Sequence, residues 1–344
     1  MEKLFRAMLQ ALEAGEDFVL CSIVASSGST PRGMGAKMAV FSNGATLGTI
    51  GGGAVEYESI RLAMKALKEK STFTMGFNLA PNQTADIGMI CGGQVTVYFQ
   101  YFAGESPDAI EILKYIVTLF DRDVNTWLIT HITEGGVKQI GIYEEGKELM
   151  FTAGISEEEI KPLLKSCGML RKGEPAYYVE PLTQAGMVYV FGGGHVSQEL
   201  VPVITHIGFR TVVYDDREAF ANPKLFPQAF NTVVGSFKNI SEHIKLTKND
   251  YAVIMTRGHQ ADYEVLEQAL RTEACYIGVI GSRQKIAITT KRLLEAGISE
   301  EECKRIYTPI GLPIKGETPA EIAISIAGEL ILHRAEMRET SYSK

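Results

Sequence analysis

One stretch, residues 187–217, restricts the possible folds of this 344-residue chain more than any other. Its apolar run Val188–Phe191 is typical of a buried parallel strand, and three consecutive glycines follow it at once. Apolar residues then recur at helical spacing, and residues 211–214 form a second apolar run that leads into Asp215 and Asp216. Strand, glycine-rich turn, helix, strand and acid within about thirty residues predict a βαβ unit of a doubly wound, Rossmann-like parallel sheet.

The same stretch suits a ligand that carries a phosphate. Glycine lets a backbone approach a phosphate, a helix N-terminus offers unpaired N–H groups, and an acid after the second strand can accept a ribose hydroxyl. Ser197 stands where such motifs usually have a third glycine. The alternative is a doubly wound domain in which this loop is only a turn. The candidate binding residues of the stretch are Gly192, Gly193, Gly194, His195 and Asp215.

The composition favours an ordinary globular protein of the cytoplasm. Apolar residues make up 45% of the chain and charged residues 22%, which is usual for globular domains. The formal net charge of −7 argues against nucleic acid as a partner, and no apolar run is long enough to span a membrane. The amphipathic start predicts a helix rather than a signal peptide. The five cysteines are far apart, so they predict neither a disulfide framework nor a zinc site.

A second glycine-rich region lies in the N-terminal half, where the pattern of strands and helices predicts an α+β domain. Residues 26–37 form a loop dense in glycine, serine and proline, and three glycines farther on lead directly into a helix. This is a second potential anion site. A guanidinium on the loop can hold a phosphate through two hydrogen bonds, although most arginines are simply solvated surface charges. The candidate residues of this half are Arg32, Lys37, Gly51, Gly52 and Gly53.

The C-terminal half continues with alternating strands and helices after a boundary at residues 183–186, so we expect domains at 1–183 and 184–344. Ligands of open α/β sheets bind beyond the carboxyl ends of the strands. Two further strands end in polar tips, which should share one crevice with the glycine loop. The candidate residues of these tips are Arg257, His259, Ser282 and Arg283.

Short motifs along nearly the whole chain carry a resemblance to a known family. In the N-terminal half they are Gly28-Ser29-Thr30-Pro31-Arg32, Gly35-Ala36-Lys37-Met38, Gly51-Gly52-Gly53 and Cys91-Gly92-Gly93. In the C-terminal half they are Gly194-His195-Val196, Asp215-Asp216-Arg217, Thr256-Arg257-Gly258-His259, Gly281-Ser282-Arg283 and Pro309-Ile310-Gly311-Leu312-Pro313. In this order the motifs resemble those of the xanthine dehydrogenase accessory proteins, the XdhC/CoxI family. Ser197 and Lys315 depart from the family pattern.

The resemblance implies a function in the maturation of molybdenum enzymes. It implies that the protein binds the molybdenum cofactor (molybdopterin) and delivers it to xanthine dehydrogenase or a related molybdenum hydroxylase. It also implies a two-part architecture and a homodimer, with a cysteine desulfurase among the candidate partners. We expect a non-catalytic cofactor-delivery protein, and the sequence assigns no catalytic residue.

For two candidate residues, the sequence allows either a functional role or a purely structural one. Cys91 lies between a polar loop and two glycines, so it is either an exposed thiol that carries sulfur or binds metal, or a small buried residue. His195 begins a helix, where a neutral ring could donate to an anion or transfer a proton, or could simply pack.

Two other functions compete with cofactor delivery. One is an NAD(P)-dependent oxidoreductase, in which the Rossmann-like half holds the dinucleotide and the N-terminal half holds the substrate. The other is a nucleotide sensor without chemistry. An oxidoreductase needs an acid–base apparatus at the crevice, and the sequence offers only His195 and His259 for that purpose.

Overall fold

The computed structural model describes residues 1–79, 93–133, 140–151, 153–281 and 283–342, with the backbone alone for 283–287 and 338–342. Two compact units make up the chain, Met1–Gln184 and Ala185–Lys344. Within the described ranges, no helix combines the length and the apolar character needed to span a membrane. Cys91 and Ser282 lie outside the described residues, as does the side chain of Arg283.

The first unit is built on an antiparallel sheet with helices on both faces. Its elements are α1 (Glu2–Glu13), β1 (Phe18–Ser27), β2 (Lys37–Phe41), β3 (Thr46–Gly48), α2 (Gly53–Glu69), β4 (Phe73–Asn78), β5 (Gln94–Phe102) and α3 (Pro107–Leu119). The strand order is β3-β2-β1-β5-β4. Along β1, Phe18 and Leu20 pack in the core with α1 and α3, whereas Val19 and Cys21 pack in the core with α2. Because both faces are covered, β1 is a continuous apolar run.

A second antiparallel sheet completes this unit. Its elements are β6 (Thr126–Ile132), β7 (Ile140–Glu144), α4 (Glu157–Ile160), β8 (Met169–Arg171) and β9 (Ala176–Thr183), and the strand order is β7-β6-β9-β8. The sequence pattern predicts one short helix over residues 156–167, but α4 ends at Ile160 and a 3₁₀ turn, Lys161–Leu163, follows. Pro162 explains the difference, since proline lacks the N–H group that an α-helix needs and restricts the residue before it.

The second unit is a six-stranded parallel sheet, which confirms the predicted Rossmann-like fold class. Its elements are β10 (Val188–Phe191), α5 (His195–His206), β11 (Thr211–Asp215), β12 (Asn231–Val234), β13 (Tyr251–Ile254), α6 (His259–Leu270), β14 (Tyr276–Val279), α7 (Arg283–Glu295), α8 (Glu300–Cys303), β15 (Ile306–Tyr307) and α9 (Pro319–Tyr342). The strand order is β12-β11-β10-β13-β14-β15, so the chain reverses direction across the sheet between β10 and β13. The sixth strand, β15, has two residues and is too short for periodicity to predict.

Helices cover both faces of this sheet. Leu200 of α5 and Ile326 of α9 pack in one core with Val253 of the central strand β13. Ile254, the next residue of the same strand, packs in the other core with Leu266 of α6. Buried faces on both sides leave the carboxyl edge of the sheet as the place where strand tips meet solvent.

Candidate functional site

The carboxyl edge of the parallel sheet brings the predicted tips together. Strand β10 lies between β11 and β13, with which it pairs in parallel register. The glycine loop after β10, the acids after β11 and the polar loop after β13 therefore leave the sheet at one edge. This is the topological switch point, where the ligands of open α/β sheets bind.

The three glycines of the loop have different roles. Gly192 has a φ of +103°, and a Cβ atom on it would overlap the carbonyl oxygen of Met255. A Cβ atom on Gly193 would overlap the carbonyl oxygen of Phe220. Gly194 has an ordinary φ of −71°, and no described atom beyond its chain neighbours lies within 4 Å of its Cβ position. The first two glycines thus allow close packing, and the third leaves open space.

The first turn of α5 binds the loop through side chains. The Ser197 hydroxyl donates to the carbonyl oxygen of Gly192, and the Gln198 amide donates to that of Gly193 at 3.1 Å. Ser197 thus holds α5 to the glycine loop through a hydrogen bond. A glycine at this position would instead allow the helix and the loop to pack closely. No described side chain caps the N-terminus of α5. Its first N–H groups have no partner inside the helix and lie beside the open space at Gly194.

Asp215 is bound by the chain's own donors. Its Oδ2 accepts the N–H of Gly193 at 2.9 Å and the Nη2 of Arg217 at 3.1 Å. Its Oδ1 accepts the backbone N–H of Arg217 at 3.0 Å and the Nε of Arg217 at 2.9 Å. Burial would raise the pKa of Asp215, but these hydrogen bonds outweigh it and hold the pKa below its usual value. The four donors fill the acceptor positions of a carboxylate, so none is left for the expected ribose hydroxyl.

The tips of β11 and β13 are joined by an ion pair. The Arg257 Nη2 donates to Asp216 Oδ2 at 2.9 Å, and both side chains are partly exposed. Thr256 is held by Asp262, whose Oδ1 accepts its backbone N–H at 2.9 Å and its hydroxyl at 2.6 Å. Asp262 therefore fixes the start of the predicted tip Thr256-Arg257-Gly258-His259. Arg257 stays at the surface, where Asp216 is its one partner among the described residues.

Two exposed histidines stand beside this edge. His195 is the first residue of α5 and His259 is the first residue of α6. Both rings are exposed, and neither is hydrogen-bonded to any part of the chain that the structure describes. His259 also lines a small pocket at the carboxyl end of β14, whose other lining residues include Asp262, Tyr263, Leu266, Val279, Gly281, Thr290 and Thr308. The two imidazoles can donate to or accept from a ligand without breaking an internal bond.

The second predicted anion site, at Gly51, Gly52 and Gly53, is filled by the chain itself. Glu56, in the first turn of α2, accepts the N–H groups of Ile50 at 3.0 Å and Gly52 at 3.1 Å. It also accepts the Thr49 hydroxyl at 2.5 Å. Burial would raise the pKa of Glu56, but these hydrogen bonds outweigh it and lower the pKa. An internal carboxylate thus takes the place that was expected for a ligand anion.

Lys37 likewise has an internal partner. Its ammonium forms an ion pair with Glu180 of β9, and the two side chains are 3% and 4% exposed. The same ammonium lies 3.4 Å from the Ser22 hydroxyl and 5.7 Å from the centre of the Tyr178 ring. Burial raises the pKa of Glu180 despite the nearby ammonium. The charge of Lys37 is therefore neutralised inside the unit, rather than held out toward an anion as we expected.

Arg32 remains exposed on its loop. No hydrogen bond or ion pair to the described residues holds its guanidinium, and its backbone lies against Gly51. Gly93, which ends the Cys91-Gly92-Gly93 motif, packs so closely on the same loop that a Cβ atom there would overlap the carbonyl oxygen of Ser29. The structure thus brings together the motifs that contain Arg32, Gly51 and Gly93. The exposure of Cys91 stays a prediction.

Two family models match the chain. The model of the XdhC Rossmann domain matches residues 188–330, which contain all six strands of the parallel sheet. The model of the XdhC and CoxI family matches residues 11–78, which contain the loop of Arg32 and the glycines before α2. Together the two matches cover more than half of the chain. The chain belongs to the XdhC and CoxI family.

Alignments with three related proteins cover most of the chain. A probable xanthine dehydrogenase component of Bacillus subtilis (strain 168) is 26% identical over 341 residues, which cover 96% of this chain and 97% of that protein. The molybdenum cofactor insertion chaperone PaoD of Escherichia coli (strain K12) is 20% identical over 347 residues, which cover 98% and 90%. YqeB of the same organism is 25% identical over 315 residues, which are 91% of this chain but only 43% of YqeB.

A solved structure supports the fold of the whole chain. It is described as a xanthine dehydrogenase from Bacillus halodurans, and it superposes with a TM-score of 0.81 at 23% identity. The superposition covers 99% of this chain and 97% of the other.

The sequence analysis did not identify Glu56 and Glu180 as partners of the candidate residues. In each case the sequence context could have indicated this role. Glu56 is an acid in the first turn of a helix, where the dipole favours a negative charge. Glu180 is a charged residue in an apolar strand, and a buried charge needs a partner. The Asp215–Arg217 pair had no such signal, because adjacent opposite charges are common at surfaces.

Proposed function

We propose that this chain binds the molybdenum cofactor and assists its maturation and insertion into a xanthine dehydrogenase or a related molybdenum hydroxylase. Two relatives support the proposal through their names, one a molybdenum cofactor insertion chaperone and the other a probable component of xanthine dehydrogenase. Both match this chain along at least 96% of its length. The proposed role is that of a carrier, in which residues bind the cofactor and release it to a partner.

One observation at the site favours molybdopterin over NAD(P) as the ligand. Asp215, the acid that would bind a ribose, is saturated by Gly193 and Arg217, while the N-terminus of α5 remains uncapped beside Gly194. We infer that a site of this kind suits a phosphate better than a ribose. Molybdopterin carries a terminal phosphate and no ribose, so it fits this site better than NAD(P) does.

The chain offers a consistent set of groups for such a ligand. The open space at Gly194 admits phosphate oxygens to the N–H groups of α5, and the exposed His195 ring stands at the same helix end. Arg257 at the neighbouring tip can add a charge-assisted hydrogen bond, since Asp216 alone holds it among the described residues. When bound, the molybdenum cofactor would supply the redox chemistry of the enzyme that receives it.

The oxidoreductase alternative finds less support. A hydride transfer from NAD(P) requires that the dinucleotide be held through its ribose, and Asp215 lacks a free acceptor position. A homodimer and a cysteine desulfurase partner remain proposals that follow from the family resemblance. We expect the homodimer to show in the sedimentation velocity of the purified protein.

The proposal is tested by blocking the open space at Gly194. Gly194→Val puts a side chain where the phosphate would approach, without backbone strain, because the backbone there is extended. Gly76→Val is the matched control, since Gly76 also has open space around its Cβ position but lies on strand β4 of the other unit. Molybdopterin binding, measured by calorimetry, should weaken at least about tenfold in the first variant, a loss of roughly 1.4 kcal/mol, and not in the second. Equal affinity in both variants would remove α5 from the site.

Arg32 gives a second test. It is exposed and carries no internal ion pair in the described chain, so Arg32→Ala removes no bond that the fold needs. We expect the variant to fold normally and to activate a cofactor-free hydroxylase more slowly than the parent does. Activation at the parental rate would show that Arg32 is only a solvated surface charge.

A further inference from the structure

The outer face of α2 carries an unusual surface. Its residues Tyr57, Arg61, Met64, Lys65 and Lys68 recur at helical spacing and line a shallow groove together with Ile60. The opposite face of the same helix is already packed, because Val55, Ala63 and Ala66 lie in the core of the first unit. Ile60 and Met64 also pack partly against that core, whereas Tyr57 does not, so the fold does not need an aromatic residue at position 57.

Tyr57 is the most conspicuous member of this face. It is 74% exposed, more than any other large hydrophobic residue in the described part of the chain. Ile60 and Met64 beside it are half-buried, which gives the groove an apolar floor. Exposed aromatic residues next to apolar side chains are characteristic of protein interfaces, where tyrosine is enriched.

The charge of the groove is opposite to that of the whole protein. The chain has a formal net charge of −7, yet the charged residues that line the groove, among those the structure describes, are three cations. Arg61 is paired with Glu58 at 2.5 Å and Lys65 with Glu69 at 3.6 Å, and these surface pairs are open to exchange. Lys68 has no ion pair within the described residues. A partner that brings carboxylates would gain attraction at this groove, although the chain as a whole is acidic.

The groove also borders the candidate site of the first unit. Helix α2 begins at Gly53, directly after the glycines that Glu56 binds. The Cβ position of Gly51 lies 3.1 Å from the Cβ of Pro31 and 3.5 Å from the backbone nitrogen of Arg32. A protein seated on α2 would therefore stand next to the loop that carries Arg32.

We propose that the outer face of α2 is a docking surface for an acidic segment with apolar anchors on the molybdenum hydroxylase that receives the cofactor. Tyr57, Ile60 and Met64 would contact the apolar side chains of the segment, and the three cations would pair with its carboxylates. The identity of the partner rests on the proposed function. The surface itself rests on exposure, charge and spacing along one helix.

The test uses the full chain and a purified, cofactor-free xanthine dehydrogenase. The double variant Lys65→Glu/Lys68→Glu reverses two charges of the groove, and Tyr57→Ala removes its exposed ring. Lys114→Glu is the matched control, because Lys114 is 59% exposed, close to the 63% of Lys65, and also pairs with a surface glutamate. Binding of each variant to the hydroxylase is measured by calorimetry at low and high salt, without cofactor in either protein.

We expect the double variant to bind the hydroxylase at least tenfold more weakly than the control does, and the parent to lose affinity as salt is added. Tyr57→Ala should weaken binding at both salt concentrations. Parental affinity in the double variant would overturn the proposal. Loss of self-association with unchanged hydroxylase affinity would also overturn it, since the face would then belong to a second copy of the chain. Molybdopterin binding by the parent is measured separately. Its absence would contradict the proposed function, whereas the hydroxylase binding of the variants tests the docking surface.

Discussion

The buried ion pair between Lys37 and Glu180 offers a sharp test of how the first unit is held together. The two residues lie on β2 and β9 and so connect the two antiparallel sheets of that unit. Lys37→Met removes the ammonium but keeps a side chain of similar length. The carboxylate of Glu180 then stays buried without its counter-charge, with only the Tyr178 hydroxyl left to stabilise it.

The size of the effect follows from the burial of the pair. Removing one partner of a buried ion pair typically costs about 3–5 kcal/mol, because a charge remains without compensation. With a urea slope of roughly 2–3 kcal/mol/M, the unfolding midpoint should fall by about 1–2.5 M. Trp127, the single tryptophan, reports on this unit alone, since its Nε1 donates to the carbonyl oxygen of Lys165 at 2.8 Å in the same unit. Its fluorescence is the measurement.

The loss should depend on pH in a defined direction. Burial already raises the pKa of Glu180, and Lys37→Met removes the charge that opposes this rise. The folded variant then binds a proton that the unfolded chain has released, so its stability falls as the pH rises between the unfolded and the folded pKa. We therefore expect a smaller difference from the parent at pH 5 than at pH 8.

Two further variants complete the comparison. Lys37→Met/Glu180→Leu should recover most of the loss, because apolar residues of similar volume often replace a buried pair at little cost. Lys161→Met, at an exposed lysine that pairs with Glu157 at 3.3 Å, should change the midpoint little. If Lys37→Met lost no more than Lys161→Met, or if the loss were equal at pH 5 and pH 8, the assignment of a buried, uncompensated charge would be refuted.

Other predictions concern the glycine loops and the cysteines. Gly193→Ala should lower the free energy of unfolding by about 1–3 kcal/mol in urea, because its Cβ atom overlaps the Phe220 carbonyl oxygen. Glu56→Gln should cost about 1 kcal/mol near pH 7, and since the pKa of Glu56 is lowered in the folded state, the cost should shrink as the pH falls through that pKa. Among the thiols, Cys21 should react last with iodoacetamide in peptide mapping, since burial raises its pKa, whereas its loop position predicts that Cys91 reacts first.

The sequence predicted the second unit well because its information is local. A strand, three glycines and a helix lie within about twenty residues, and the spacing of apolar side chains fixes which face of each element is buried. Asn43-Gly44 in the first unit is likewise a local signal, since this pair predicts a hairpin turn, and it lies in the turn between β2 and β3. The two-residue strand β15 could not be predicted, because it becomes a strand only by pairing with β14.

The partners of charged side chains were much harder to predict. Lys37 and Glu180 are far apart in sequence and meet only because the two sheets of the first unit pack together. Asp215 has the position of a ribose-binding acid, and only the fold shows that Arg217 turns back onto it. A motif therefore identifies the place of a site, but the hydrogen bonds of the folded chain decide which of its groups remain available to a ligand.

The most direct test of cofactor delivery is the content of the protein as purified from a molybdenum-replete host. Mass spectrometry of the released small molecules should find molybdopterin with the parent and with Gly76→Val, and at least tenfold less with Gly194→Val. The parent loaded in this way should also activate a cofactor-free hydroxylase. Recovery of NAD(P) in place of a pterin, together with steady NAD(P)-linked turnover by the isolated protein, would contradict the account and favour an oxidoreductase.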